Sequence, residues 1–530
     1  MTDNTGRLNK LFRFDKEEEG FELLETERGE PDPAKLWSEK EASERKSAPF
    51  PKSVEEVCRI WKRLFSADIN RDLVLRRFTV GGKRDALAVY MNGMASDEKI
   101  NEFILKPLMT AETADTDRLV SGVIRIGEIS FSRDPDEIKN GVMDGLTALF
   151  LDGEEACLLL ETHGYEKRSV GTAENEQTVR GPKESFTECL KTNVTLIRRI
   201  LHVEDLIVET RPAGCRNNVR LALVYRGGVT DRRLVNEVKR RLANVKLNGI
   251  TSSGITEQLI EDSGLFPLPQ ILSTERPDRA ASHVMNGRVC VIVEGSPNVL
   301  VMPITLFTLM NSPEDVYMRR PIGTLLRLVR YSGALVSVLL PGYFLALALY
   351  HQGMLTTEVL STVIASRRMV FEPIGAEMLL LLFIFQLIRE AGLRVPGGIG
   401  QAIGIIGGLI MGQAAVSAHL ASSVVLIIVA ASGLGNFCIP DYSTQIAAAY
   451  FRIAMVIAAW LAGLVGMLSA ALLAVMLLAG MKSFGVPYLS PFAPRTYSRA
   501  PLIVRGRIRG RSRADDALNT EDEAKEDCPA

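Results

Sequence analysis

Residues 371–390, FEPIGAEMLLLLFIFQLIRE, place ionisable and amide side chains in and beside an apolar stretch. Met378 to Phe385 is apolar enough to lie in lipid, yet Glu372, Glu377, Gln386, Arg389 and Glu390 flank or enter it. Ionisable groups in a bilayer are expensive and mark function by default. On a helix Gln386 and Glu390 share a face at i, i+4. Glu377 is nine residues before Gln386, which at about 100° per residue puts it on the opposite side. The polar groups therefore do not form one continuous relay. Glu372, beside Pro373, and Arg389 and Glu390, at the far end, can reach the interface as anchors or pair internally. Glu377 and Gln386 lie deeper. Either they pair with neighbouring helices, or one of them lines a water-filled path for ions. Gln413, in a later apolar stretch, joins the same set of candidate polar membrane groups.

No other chemistry has a matching pattern. Gly81-Gly82-Lys83 lacks the upstream glycine of a phosphate loop, and no G-x-G-x-x-G follows a strand. No serine stands in a G-x-S-x-G elbow. Seven cysteines and five histidines are scattered without metal-ligand spacing, which points to reduced thiols and against a zinc site. The net charge of −1 gives no footprint for nucleic acid. The expectation is a chain that is not an enzyme and has no cofactor.

The elements that must carry these residues divide the chain. Residues 1–50 are charged and poor in large apolar groups, a composition of disordered tails. Residues 51–200 and 201–290 read as two related α/β subdomains of a soluble half. DALAVYMNGMASDEKINEFILKPLM (85–109) and RLALVYRGGVTDRRLVNEVKRRLANV (220–245) each show a strand ending in Val-Tyr, a glycine turn, a Ser or Thr cap and an amphipathic helix. Asp152-Gly153 between two apolar runs signals a hairpin.

Residues 331–485 form an α-helical, multi-span membrane domain with about five helical segments near Tyr331–Tyr350, Ile374–Ile388, Ile399–Val416, Leu420–Ile439 and Ile453–Gly480. Arginines 319, 320, 327 and 330 precede the first, and seven arginines from Arg495 to Arg513 follow the last. Both ends are thus expected on the cytoplasmic side, with 486–530 a cytoplasmic tail, basic and then acidic. That orientation needs an even number of crossings. The parity is met if the last segment is a bent hairpin, if Val299–Met310 enters the membrane, or if the third or fourth segment is re-entrant.

Gly400, Gly404, Gly408 and Gly412 make one small-residue stripe. Ala458, Ala462, Gly466 and Ala470, within a longer run of the same spacing, make another. Such stripes let helices approach closely, inside one subunit or between subunits. Residues 291–330 read as an interfacial connector between the halves, with Glu294, Gly295, Ser296 and Pro297 at its start as a candidate coupling element.

Ordered blocks then point to a family. They include NRDLVLRRFTVGG (70–82), DGLTALFLDG, GYEKRSV, GPKESFTECLKTNVTLIRR, FPLPQILSTERPDRAASHVMNGRV, EGSPNVLVMP, NSPEDVY, FEPIGAEMLLLLFIFQLIREAGLRVP, GGLIMGQAAVSA and SFGVPYLSPFAP. From about residue 53 to 505 the chain resembles the A subunit of the bacterial spore germinant receptors. The resemblance implies a multi-pass protein of the inner spore membrane, its N-terminal domain and C-terminal tail facing the spore core. It implies a transporter-like B subunit and a lipoprotein C subunit as partners, self-association, and a ligand-gated ion channel whose opening begins germination. A secondary transporter of a nutrient or ion is the alternative, against which stands the lack of a visible inverted repeat.

Overall fold

The computed structural model describes residues 50–164, 171–173, 175–214, 217–245, 251–264, 266–394, 408, 410, 412–493, 504 and 518. Residues 1–49 of the expected tail 1–50, and most of the arginine-rich and acidic stretches at the C-terminus, lie outside these residues, while Phe50 stacks on Trp61.

The soluble half, or head, contains two five-stranded sheets. Strands β1 (Leu73–Val80), β2 (Arg84–Met91), β3 (Ile129–Ser132), β4 (Thr147–Leu151) and β5 (Cys157–Leu160) stand in the order β1-β2-β4-β5-β3. Strands β6 (Leu206–Ala213), β7 (Val219–Arg226), β8 (Leu272–Thr274), β9 (Val289–Val293) and β10 (Val299–Met302) repeat that order as β6-β7-β9-β10-β8. Every described strand pair is antiparallel. Val89-Tyr90 and Val224-Tyr225 occupy matching ends of β2 and β7, so the duplication in the sequence is a duplication of the whole sheet.

The central strands are buried on both faces, which is why they read as unbroken apolar runs. Helices cover them. Among these are α1 (Val54–Leu64), with Trp61 stacked on Phe65, and α2 (Pro135–Asp144) on the first sheet. On the second lie α3 (Leu190–Ile200), α4 (Arg232–Ala243), α5 (Ser253–Ile260) and α6 (Pro277–Met285).

The second subdomain runs past residue 290, and this corrects the expected boundary. Glu294, Gly295, Ser296 and Pro297 are not the start of a connector. They form the turn between β9 and β10, and Gly295 (φ +83°) holds the place that Gly153 (φ +86°) holds between β4 and β5. Val299–Met302 lies fully buried in this sheet, so the membrane entry considered for Val299–Met310 does not occur.

The helical half begins with α7 (Arg320–Tyr350), followed by α8 (Thr357–Arg367), α9 (Ile374–Arg394), α10 (Ser423–Phe437) and α11 (Tyr442–Gly480). Two of these, α7 and α11, are long and apolar enough to cross a membrane. Large apolar side chains such as Leu335, Phe383, Ile427, Leu434, Leu468 and Leu472 are exposed on their outer faces.

Element α11 is two helices. Ala462 (φ −140°, ψ 23°) and Gly463 (φ +58°, ψ −142°) leave helical geometry. A straight 39-residue helix would extend about 58 Å at 1.5 Å per residue. Instead Ala447, Phe451, Leu478 and Met481, from its two ends, pack in one cluster with the head. The chain reverses at Ala462–Gly463, and the stripe residues Ala458 and Gly466 meet across the reversal. A Cβ on Gly466 would fall 2.2 Å from the Ala458 carbonyl oxygen.

After the returning arm, β11 (Lys482–Ser483) and β12 (Val486–Pro487) form a short ribbon that docks on the head. Ser483 Oγ donates to Gln270 O at 2.7 Å and accepts from Ile304 N at 3.0 Å. Tyr488 Oη donates to Pro269 O at 2.8 Å, and Phe484 is fully buried beneath the Arg241 guanidinium. Residues 486–488 are therefore part of the head's core, not the start of a free tail.

Candidate functional site

The described residues converge at two polar places: the joint between head and bundle, and the interior of the bundle. At the joint, Asp315 of NSPEDVY has no exposed surface. Its Oδ2 accepts from Arg327 Nε at 3.0 Å and from Arg330 Nη1 at 2.9 Å, and Oδ1 accepts from Arg330 Nη2 at 3.1 Å. One carboxylate so ties the first turns of α7 together, and Arg330 Nη1 also reaches Met310 O at 3.2 Å. Two residues on, Tyr317 Oη donates to Asp278 Oδ2 at 2.7 Å, and Asp278 is paired with the buried Arg276 at 2.9 Å. Burial and then the Asp278 carboxylate push the Tyr317 phenol up to about 12, so it stays a donor at neutral pH. Bonds to Asp315 on one side and Asp278 on the other lock the segment between sheet and helix.

Inside the bundle, α7, α9, α10 and α11 bring Ser337, Arg389, Ser432, Asn436 and Arg452 together. Arg452 is 2% exposed and donates from Nη1 to Ser432 Oγ at 3.2 Å. Ser432 Oγ in turn donates to Ser337 O at 2.8 Å. Arg389 Nη1 meets the Asn436 amide oxygen at 2.7 Å, with the amide turned so that its nitrogen faces Gln445 O at 3.2 Å. The Arg389 guanidinium also lies over the Tyr442 ring, 5.5 Å from its centroid.

Glu377 sits at the other end of α9, also with no exposed surface. Its Oε1 accepts from Ser422 N at 2.6 Å, which places the carboxylate at the N-terminus of α10, where helix dipole and unpaired amides favour it. Its Oε2 lies 3.3 Å from Arg367 Nε of α8. Among the described residues no group of three His, Cys, Asp or Glu side chains could hold a metal ion.

A family model described as Bacillus/Clostridium GerA spore germination protein matches residues 60–515. The chain belongs to the GerA family. It is 33% identical over 429 residues to spore germination protein KA of Bacillus subtilis (strain 168), covering 80% of this chain and 79% of that protein. It is 34% identical over 422 residues to spore germination protein A1 of the same organism, covering 80% and 87%. The crystal structure of the N-terminal domain of the A subunit of the Bacillus megaterium spore germinant receptor GerK3 is similar at 26% identity and TM-score 0.37. That match spans 48% of this chain and 96% of that one.

Within this GerA chain the residues singled out from sequence fall in different places. Glu377 lies in the first turn of α9 and Gln386 near its middle, and Glu377 is spent on Ser422 and Arg367. Gln386 is half-buried, its Oε1 enclosed without a hydrogen-bond partner. Arg389 turns inward to Asn436, not outward as an anchor, while Glu390 is exposed. Gln413 is exposed on the helical turn 412–417. Gly400 and Gly404 lie outside the described residues; among those described, a Cβ on Gly408 would meet nothing within 4 Å and one on Gly412 makes only ordinary contact with Leu426.

Asp315, Arg452, Ser432 and Ser337 escaped sequence reasoning. Two of the four arginines counted as flanking charge, Arg327 and Arg330, are held by Asp315. The single arginine inside a run such as YFRIAMVIAAW was the available signal for Arg452.

Proposed function

We propose that this chain is the membrane subunit of a nutrient-sensing spore germinant receptor, which associates with copies of itself to form a gated ion path. In this reading it works with a transporter-like B subunit and a lipoprotein C subunit in the inner spore membrane, head and C-terminal ribbon facing the spore core. Membership of the GerA family supports the role in germination.

The observation that carries the gating part is the Asp315 joint, because a buried doubly paired carboxylate makes head and first apolar helix move as one body. The reversal in α11 supports six crossings, since it turns five apolar segments into six passes and returns the chain to the head. The interior of the bundle is lined by the cations Arg389 and Arg452, which repel a permeating cation. In this reading the path runs between copies, where Glu390 and Gln413 are exposed.

Nutrient-triggered potassium release from spores carrying Gln413→Leu or Glu390→Gln tests this reading. Altered release with normal assembly supports it; unchanged release in the double variant sinks the path assignment. The runner-up, a solute transporter motivated by the interrupted α11, predicts uptake of labelled nutrient by vesicles holding the chain, whereas the channel predicts none.

A further inference from the structure

Among the described residues, the bundle interior holds two positive charges, Arg389 and Arg452, with no opposite charge paired to either. The charged group that acts on Arg452 is Arg389, of the same sign. Their hydrogen bonds go to neutral oxygens, Asn436 and Ser432. Each guanidinium keeps an enclosed donor with nothing to receive it, Nη2 on Arg389 and Nε on Arg452. The nearby carboxylates are engaged elsewhere: Asp441 caps Thr444, and Glu377 is held by Ser422 and Arg367.

An arginine does not shed its proton in a protein. Removing it from water costs several kcal/mol unless an opposite charge compensates. With Arg452 98% covered by its own chain, a side chain of a neighbouring copy cannot supply that charge; a small diffusible ion can. We infer that Arg389 and Arg452 together bind a small monovalent anion of the halide class, received by Arg389 Nη2 and Arg452 Nε between α9 and α11. One turn before Arg389 on α9, Gln386 keeps an enclosed Oε1 without a hydrogen-bond partner. Each arginine offers one enclosed donor, not a bidentate fork, which suits a spherical monovalent ion better than an oxyanion.

The bound ion neutralises the strain between the two arginines and so fastens α9 to α11. This site does not depend on whether the chain conducts ions, and its test reads binding, not release. The full chain, purified in detergent in gluconate buffer, is titrated with chloride at constant ionic strength. The thermal midpoint should rise and saturate with chloride or bromide and stay flat with gluconate. Arg452→Met should abolish that dependence. Equilibrium dialysis of the unmodified chain with radioactive chloride should find one saturable site per chain, so the inference stays exposed should the variant not fold. A midpoint indifferent to anion identity, absence of saturable chloride binding, or chloride dependence persisting in Arg452→Met and Arg389→Met would each overturn it.

Discussion

Asp315 grips Arg330 with both carboxylate oxygens, at 2.9 and 3.1 Å, while lending the first of them to Arg327 as well. The three residues span the boundary between a sheet-based head and an apolar helix. Burial makes the arrangement unforgiving, because removing the acid leaves two arginines facing each other.

Asp315→Asn should therefore destabilise the chain by about 3–5 kcal/mol, the range for breaking a buried pair from one side. Chemical denaturation of the detergent-solubilised chain measures the loss. Restoring most of it by adding Arg327→Met and Arg330→Met would identify unpaired charge as the cause; no rescue would assign the loss to packing.

Glu377→Gln keeps an acceptor for Ser422 N and removes the charge that faces Arg367 and the start of α10. A loss of about 1–2 kcal/mol is expected, the sum of a cap charge and a half-screened pair. The ratio of potassium to sodium in nutrient-triggered ion release from spores should match that of the unmodified chain. A changed selectivity would place Glu377 in the ion path after all.

The residues show where sequence was sufficient. The repeated Val-Tyr strand ends and the Asp152-Gly153 turn are local signals, and both subdomains were legible from them. The β9–β10 pair was not, because a strand buried on both faces loses the alternation that marks strands. VLVMP then resembles an interfacial segment, and Glu294–Pro297 a connector. The break in α11 was offered only as one of several ways to even the crossings, since Ala462-Gly463 continues the small-residue spacing without a proline. For Arg389 the sequence left anchor and internal pairing open, because its partner, Asn436, stands 47 positions further on a different helix. Contacts of that kind become visible only when helices are placed.

Gly463→Ala tests the reversal. An alanine at φ +58°, ψ −142° is strained by about 1–3 kcal/mol. Its Cβ would also stand 3.0 Å from the Tyr350 side chain, whose hydroxyl is bonded to Trp460 O and Leu461 O. The thermal midpoint should fall accordingly. Ala462→Gly, at an exposed position with negative φ, should cost less than about 1 kcal/mol. Equal effects would mean that the arms, not the turn, set the geometry.

Glu257 supplies the last test, at the contact between α5 of the head and the start of α11. Burial, then the negative charges of Glu261 and Asp441, push its carboxyl up to about 7 from an ordinary 4.5. A raised carboxyl pKa means that the folded state holds the proton more tightly than the unfolded state. The neutral form's contribution is complete below pH 4.5 and lost as pH rises to about 7. His283 works the other way: burial and the neighbouring Arg288 and Arg279 hold its imidazole well below 6.5, so its protonation destabilises the fold as pH falls below that value. The raw stability profile mixes both, and the difference between the unmodified chain and Glu257→Gln isolates the carboxyl. The two should be equally stable near pH 4.5 and diverge by pH 7.5, the glutamine form being the more stable. At about 1.4 kcal/mol per unit the gap is bounded near ~3 kcal/mol, and water around the half-buried side chain reduces it. Thermal midpoints across that window check the sign, and a constant difference would remove Glu257 as the titrating group at this contact.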